Sequence, residues 1–564
     1  MSYGWDVDEF QGEPDIETYK VWILDTAHFV PAVTPLYYQA HGEHCRGHPF
    51  HLASDYISDP GKRGSAWRTY KGYTYITADT TTDEERRERE PKFREKMTRI
   101  LQDPWAPWNE WKAELKSYYD RLIPMNLEQM GNGELASHLW DVWELDRKMW
   151  EIHHLGAHLY AGGMGAFRDM AADMLGLHYT DPLYAKLMSG FDNSILQLNK
   201  GLAELATKAM ELKLEGIFNL PDEQVLPAME QSAAGKQWLD AFHHFLYEEG
   251  VGGQGWRMQR MLEFCTPTWF EKPSLAISDI RRLMATGGVH APELQRERLA
   301  REREEAEREI LAKLPAADRE WFALLMRAGQ ATNFYLEDHD YWCEFRAHSL
   351  VRRAALEAGR RLVKVGIMED PEDALMLLME TLVFGAAGLD RNAALVKPRL
   401  KRNKEEWLHN VKLPYPSDEV PMFLGDPSWL PTLLAADTLL NVQISPQLAK
   451  PEEVGATCVG AAGAPGIAEG VARVIMNEKG WDQMQPGEIL VAPLTMATWT
   501  PLFSTIKAVV TDSGGMLCHP VIVGREYGIP AVAGCMDATQ KIKTGDRIRV
   551  DGNLCRVHIL ERAK

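Results

Sequence analysis

Residues 508–534 read AVVTDSGGMLCHPVIVGREYGIPAVAG. The run Ala508-Val509-Val510 has the apolar, β-branched content of a buried strand. Gly514-Gly515 then breaks the chain. His519 follows at the head of a segment that reads as helix. Pro520 fits the first turn of that helix, where no backbone donor is needed. A second turn at Gly528-Ile529-Pro530 returns the chain to a strand-like run, Ala531-Val532-Ala533. The unit is strand, glycine turn, helix, turn, strand, with a histidine where the turn meets the helix.

A histidine in that place suits phosphoryl chemistry. Neutral imidazole is a competent nucleophile near neutral pH, because its ordinary pKa is about 6.5. Backbone N–H groups around Gly514 and Gly515 can approach a phosphate closely, with no side chain intervening. The N-terminal N–H groups of a helix starting near His519 would point at the same anion. A core histidine in a strand–turn–helix unit satisfies the same spacing, so the residues alone leave two readings open.

Composition bounds the rest. The 564 residues are 45% hydrophobic and 25% charged, an ordinary globular balance, and exceed what one core usually holds. A net charge of −19 argues against nucleic acid or an anionic membrane as partner. The seven cysteines, Cys45, Cys265, Cys343, Cys458, Cys518, Cys535 and Cys555, form no CxxC pair and no zinc or disulfide framework. The amino terminus, MSYGWDVDEFQGEPDIETYK, is acidic and polar rather than a secretory signal. With no long apolar span, the expectation is a cytoplasmic protein with reduced thiols.

Residues from about 85 to 410 read mostly as helix. TDEERRERE opens one helix, with Thr82 or Asp83 as its cap. In APELQRERLAREREEAEREILAKLP a thin stripe of Leu299, Ala306, Ile310 and Leu314 runs through almost pure charge, as in a solvated helix. From about Leu413 the texture turns irregular. ISPQLAKPEEVGATCVG reads as a linker, and the short β-like runs GVARVIM, EILVAP, AVVTD, AVAG, RIRVDG and CRVHIL follow it. The expected organisation is multidomain: a mainly helical acceptor-binding domain over 1–440, a linker over 441–454, and a compact α/β domain over 455–564.

The C-terminal segment resembles the phosphohistidine swivelling domain of phosphoenolpyruvate-utilising enzymes. The resemblance rests on Thr511-Asp512-Ser513-Gly514-Gly515-Met516-Leu517-Cys518-His519, then Arg525-Glu526, then Gly528-Ile529-Pro530-Ala531-Val532. GAAGAPGIAEGVARVI and PGEILVAPLTMATWTPLF resemble the family's opening strand pair and central segment. Pro520 and Gly524 depart from its usual residues without removing a reacting group. The resemblance implies that His519 is the phosphorylated residue. The helical part resembles, more loosely, the substrate domains of rifampicin phosphotransferases and phenylphosphate-synthase-like proteins. That resemblance rests on WILDTAHFVPAVTPLYYQ, GWRMQRMLEFCTPTWFEKP and YWCEFRAHSLVRRAALEAGRRLVKVGIMEDPEDALML.

Together the resemblances imply one subunit of a split, dikinase-type phosphotransferase. His519 would receive its phosphoryl group from Mg-ATP through a separate ATP-grasp subunit, because no Gly-rich phosphate loop is visible here. No cofactor is expected to bind tightly to this chain. The acceptor would be a small aromatic hydroxyl compound of the phenol, 4-hydroxyacetophenone or acetovanillone class. A non-catalytic phosphocarrier and a rifamycin-type antibiotic phosphotransferase subunit are the alternatives. Gly514, Gly515 and Arg525, with Arg352 and Arg353 on the helix that also carries His348, are the candidates to meet the phosphoryl charge. His348 and Arg352, four residues apart, share a helix face. His28, His154, His158, His243, His244 and His348 are candidates for the general base or for acceptor binding. His154 and His158 share a face too, but no third ligand accompanies them, so no metal site is expected.

Overall fold

The computed structural model describes residues 19–25, 32–45, 48–70, 73–247, 253–258, 262–285, 292–414, 417–436 and 450–563. His28 and residues 441–449 of the expected linker lie outside them. A large helical region over residues from about 35 to 410 precedes a C-terminal mixed α/β domain. By their internal contacts the residues form two compact units. The first comprises 1–159, 260–266 and 342–438, and the second 160–259, 267–341 and 439–564.

The first unit contains an antiparallel sheet that the helical expectation for 1–440 did not include. Its strand order is Lys62–Tyr70, Tyr73–Thr80, Val21–Leu24, Phe423–Gly425. The alternation in YTYIT has the period of a strand, and Trp22, Leu24, Tyr73, Tyr75 and Val420 form the core behind it. Helix Asp83–Gln102 starts on Thr82, whose hydroxyl accepts from the Glu85 N–H while the Glu85 carboxylate accepts from the Thr82 N–H. This capping box selects Thr82 over Asp83 as the cap.

In the second unit, helices Ser194–Glu211, Ala233–Tyr247 and Leu275–Ala285 close around Leu198, Leu202, Trp238, Phe242 and Ile277. Helix Pro292–Lys313 buries the stripe of Leu299, Ala306 and Ile310, and Leu314 just beyond its end is buried with them. Among the described residues no helix is long and apolar enough to cross a membrane.

Each of the six β-like runs forms a strand. The eight-stranded sheet has the order Cys458–Val459, Arg556–Glu561, Arg547–Asp551, Ile467–Val474, Ile489–Ala492, Ala508–Thr511, Ala531–Ala533, Ala462–Ala464. The four strands Ile467–Val474 to Ala531–Ala533 run parallel, and the outer pairs are antiparallel. The central strands Ile489–Ala492 and Ala508–Thr511 are buried throughout, which is why they read as unbroken apolar runs. Separate apolar clusters, one around Val491 and Val510 and one around Leu490 and Val509, reflect the opposite facing of successive residues along these strands.

Candidate functional site

The strand Ala508–Thr511 delivers the chain to the glycine turn, and helix His519–Tyr527 leaves it. Gly514 adopts φ +125°, and a Cβ there would stand 2.7 Å from the Cys518 sulfur, so only glycine fits. Cys518 is the extended N-cap, Pro520 occupies the first turn, and Gly528 ends the helix in the left-handed region at φ +64°. Among the described residues, the backbone N–H groups of Gly514, Met516, Leu517 and His519 donate to no protein acceptor, while the Gly515 N–H donates to the Cys518 sulfur. Four donors around one helix N-terminus make a cradle for an anion.

The imidazole of His519 lies between two threonines. Nδ1 is 2.8 Å from Thr495 Oγ1, and Nε2 is 2.9 Å from Thr500 Oγ1. The Thr500 hydroxyl donates its one proton to the Ala497 carbonyl at 2.7 Å. Thr500 therefore accepts from Nε2–H, and the Nδ1 lone pair accepts from Thr495. Phe503 packs edge-on against the ring at 5.2 Å. Burial and the charge of Arg257 push His519 down to about 3, so the ring is neutral near pH 7.

Sequence reasoning missed Arg257, Thr495 and Thr500. Arg257 Nη2 donates to the Ala497 and Thr498 carbonyls at 2.9 and 2.8 Å, fixing the loop that carries Thr500. Its guanidinium is buried, which pushes it down to about 10, and it lies over the Trp269 ring. The polar threonines of PLTMATWTPLF, spaced through an apolar segment, are the one local signal that could have marked them.

Arg525 is directed elsewhere than toward the imidazole. Its Nη2 donates to Asn333 Oδ1 at 2.7 Å. The adjacent Glu526 carboxylate accepts the Gly190 N–H at 2.9 and 3.1 Å, and Tyr527 pairs with the Asn199 amide. These three consecutive residues tie the histidine helix to the helical part of the same unit. Burial pushes Glu526 up to about 7, and Glu337 beside it is raised further by burial and by Glu526.

The other candidates divide between the units. His243 and His244 are exposed on helix Ala233–Tyr247 of the second unit and line no buried site. Arg352 and Arg353 belong to the first unit as braces. Arg352 donates to the Phe264 carbonyl at 2.5 Å and pairs with Glu372. Arg353 donates to the Ile123 and Met125 carbonyls at 2.9 and 2.5 Å. His154, His158 and His348 are buried in the first unit, together with His41, His44 and Asp146, which sequence reasoning passed over.

Residues 484–554 match the PEP-utilising enzyme mobile domain, and residues 157–335 match the rifampicin phosphotransferase fourth domain. The chain is 28% identical over 472 residues to chondramide synthase cmdD of Chondromyces crocatus, covering 80% of this chain and 12% of that protein. It is 27% identical over 401 residues to the uncharacterized phosphotransferase YvkC of Bacillus subtilis, covering 70% of this chain and 45% of the relative. With the rifampicin phosphotransferase of Bacillus subtilis the identity is 26% over 345 residues, covering 60% of this chain and 36% of the relative. The chain thus spans less than half the length of each of these relatives. Residues 157–335 and 484–554 thus resemble, in that order, a rifampicin phosphotransferase fourth domain and a PEP-utilising enzyme mobile domain, and the chain shows distant similarity to the rifampicin phosphotransferases.

Proposed function

We propose that this chain is a phosphotransferase component whose His519 carries a phosphoryl group to an organic hydroxyl. One observation carries the reading. In a segment matching the mobile domain, a neutral imidazole stands at a helix N-terminus, between two hydroxyls and beside unbonded backbone N–H groups. Phosphoryl transfer needs a nucleophile, an anion cradle and little more from the protein. In this reading His519 is loaded from Mg-ATP by a separate ATP-grasp subunit, and the magnesium and nucleotide stay with that subunit.

For the acceptor we propose a small aromatic hydroxyl compound of the phenol or 4-hydroxyacetophenone class. The buried, ring-rich cluster of the first unit supports it. A second reading has an observation of its own: the match of residues 157–335 to the rifampicin phosphotransferase fourth domain favours a rifamycin-type acceptor. The test is transfer from loaded protein to a panel of phenols, alcohols and rifamycins, followed by 31P NMR. Aryl phosphate formation supports the first acceptor, and phosphorylation of the macrocycle alone supports the second. A folded His519→Asn chain that still transfers sinks both.

A further inference from the structure

We propose that the buried cluster around Asp146 in the first unit is the acceptor site. His44 is the base that takes the acceptor's hydroxyl proton, and Asp146 is its positioning residue. This rests on the reading that His519 donates the phosphoryl group.

Residues His41–Cys45 form a π-helical turn directly after helix Pro35–Ala40. Such widened turns recur at functional sites, because they re-aim side chains at a small cost in backbone bonding. Here His41, His44 and Cys45 are all buried. The Asp146 carboxylate, fully buried on helix Asn132–Leu175, lies 2.8 Å from His44 Nδ1 and 3.4 Å from His348 Nε2. The Nδ1–H of His44 donates to that carboxylate, so the lone pair sits on Nε2. Among the described residues Nε2 of His44 makes no hydrogen bond. An oriented imidazole with its outer nitrogen unspent has the geometry of a general base.

The surroundings suit an aromatic guest. Trp150 stacks on His154 at 5.8 Å and tilts against His348 at 5.9 Å, and Tyr37 stands edge-on to His348 at 5.5 Å. Two buried polar atoms of the cluster, Trp150 Nε1 and His158 Nε2, have no hydrogen-bond partner among the described residues. Buried polar atoms are almost always satisfied, so an orphaned pair within one cluster marks where a ligand's polar groups belong. Rings with a few convergent polar atoms are the usual lining for a small aromatic molecule.

The step balances. The acceptor's O–H bond breaks and its proton passes to His44 Nε2 as the oxygen forms the new O–P bond. The N–P bond to His519 breaks, and its electron pair returns to the imidazole. Asp146 stabilises the His44 imidazolium until the proton leaves to solvent.

The test uses the full chain, loaded on His519 with phosphoramidate and mixed with phenol or 4-hydroxyacetophenone, and single-turnover transfer is followed by 31P NMR. The intact chain should transfer near pH 7. His44→Gln should fall roughly 100-fold or more there, and recover toward about pH 10, where the phenol ionises unaided. Asp146→Asn should displace the base limb of the pH profile, while phenol binding, read from Trp150 fluorescence, persists. His44→Gln transferring within a few-fold of the parent overturns the proposal. So does a loss that high pH does not restore. Loaded protein that passes its phosphoryl group to neither phenol also counts against it. Failure of His519 to load at all defeats the underlying reading instead.

Discussion

At the scale of the residue, the account turns on an imidazole kept neutral. Burial and Arg257 push His519 down to about 3 from an ordinary value of about 6.5. A lowered histidine favours the folded state only while uncharged. Its contribution is intact above about 6.5 and is lost as the pH falls from there toward about 3. Urea denaturation at pH 7 and pH 5 should show that loss in the parent, and a shallower one in His519→Gln. The nucleophile should also stay competent well below its ordinary pKa. Loading of His519 measured by mass spectrometry should be flat through pH 6.5, and a decline centred there would contradict the burial argument. Arg257→Met removes the neighbouring charge and should raise the imidazole value. His519 was legible in the sequence because its neighbours along the chain carry the signal. Arg257 was not, because its role depends on two carbonyls about 240 residues away.

At the scale of the element, the glycine turn is the sharpest constraint. Gly514→Ala must hold a Cβ at φ +125° and 2.7 Å from the Cys518 sulfur. Backbone strain of that kind costs about 1–3 kcal/mol, before the clash is counted. Thermal denaturation should therefore show a lowered Tm and the loading assay a lost phosphohistidine. A variant with parental stability and loading would show that the turn tolerates other residues. The stripe Leu299, Ala306, Ile310 and the strands of the C-terminal sheet were readable, since each depends on local periodicity. The sheet of the first unit was not. Its strand Val21–Leu24 pairs with Phe423–Gly425, across most of the chain, and no local pattern announces such a partner. The π-helical turn His41–Cys45 was equally hidden, because its side-chain types are not those of any one period.

At the scale of the whole molecule, phosphoryl loading and unloading call for one histidine to visit two sites, so we expect residues 455–564 to swivel. In this structure Arg525, Glu526 and Tyr527 hold the histidine helix to Asn333, Gly190 and Asn199. Burial pushes Glu526 up to about 7, above the ordinary carboxyl value of about 4.3. A raised acid stabilises the docked arrangement below its free value, and that support is lost as the pH rises through about 7. Release of the domain, read by limited proteolysis or a distance probe, should therefore increase from pH 5 to pH 8, and Glu526→Gln should flatten the response. Cysteines introduced at positions 199 and 527 and joined by a short crosslinker should allow one half-reaction and block full turnover. Repeated turnover by the crosslinked protein would rule out swivelling.

The central claim is that His519 accepts a phosphoryl group, and the most direct measurement is peptide-level mass spectrometry of the intact chain after exposure to phosphoramidate or to Mg-ATP with the charging partner, backed by 31P NMR. The account predicts a single acid-labile, base-stable phosphoryl group on His519, absent from a folded His519→Asn variant. A phosphoryl group on another residue, or transfer to an acceptor that survives in the folded variant, would contradict it.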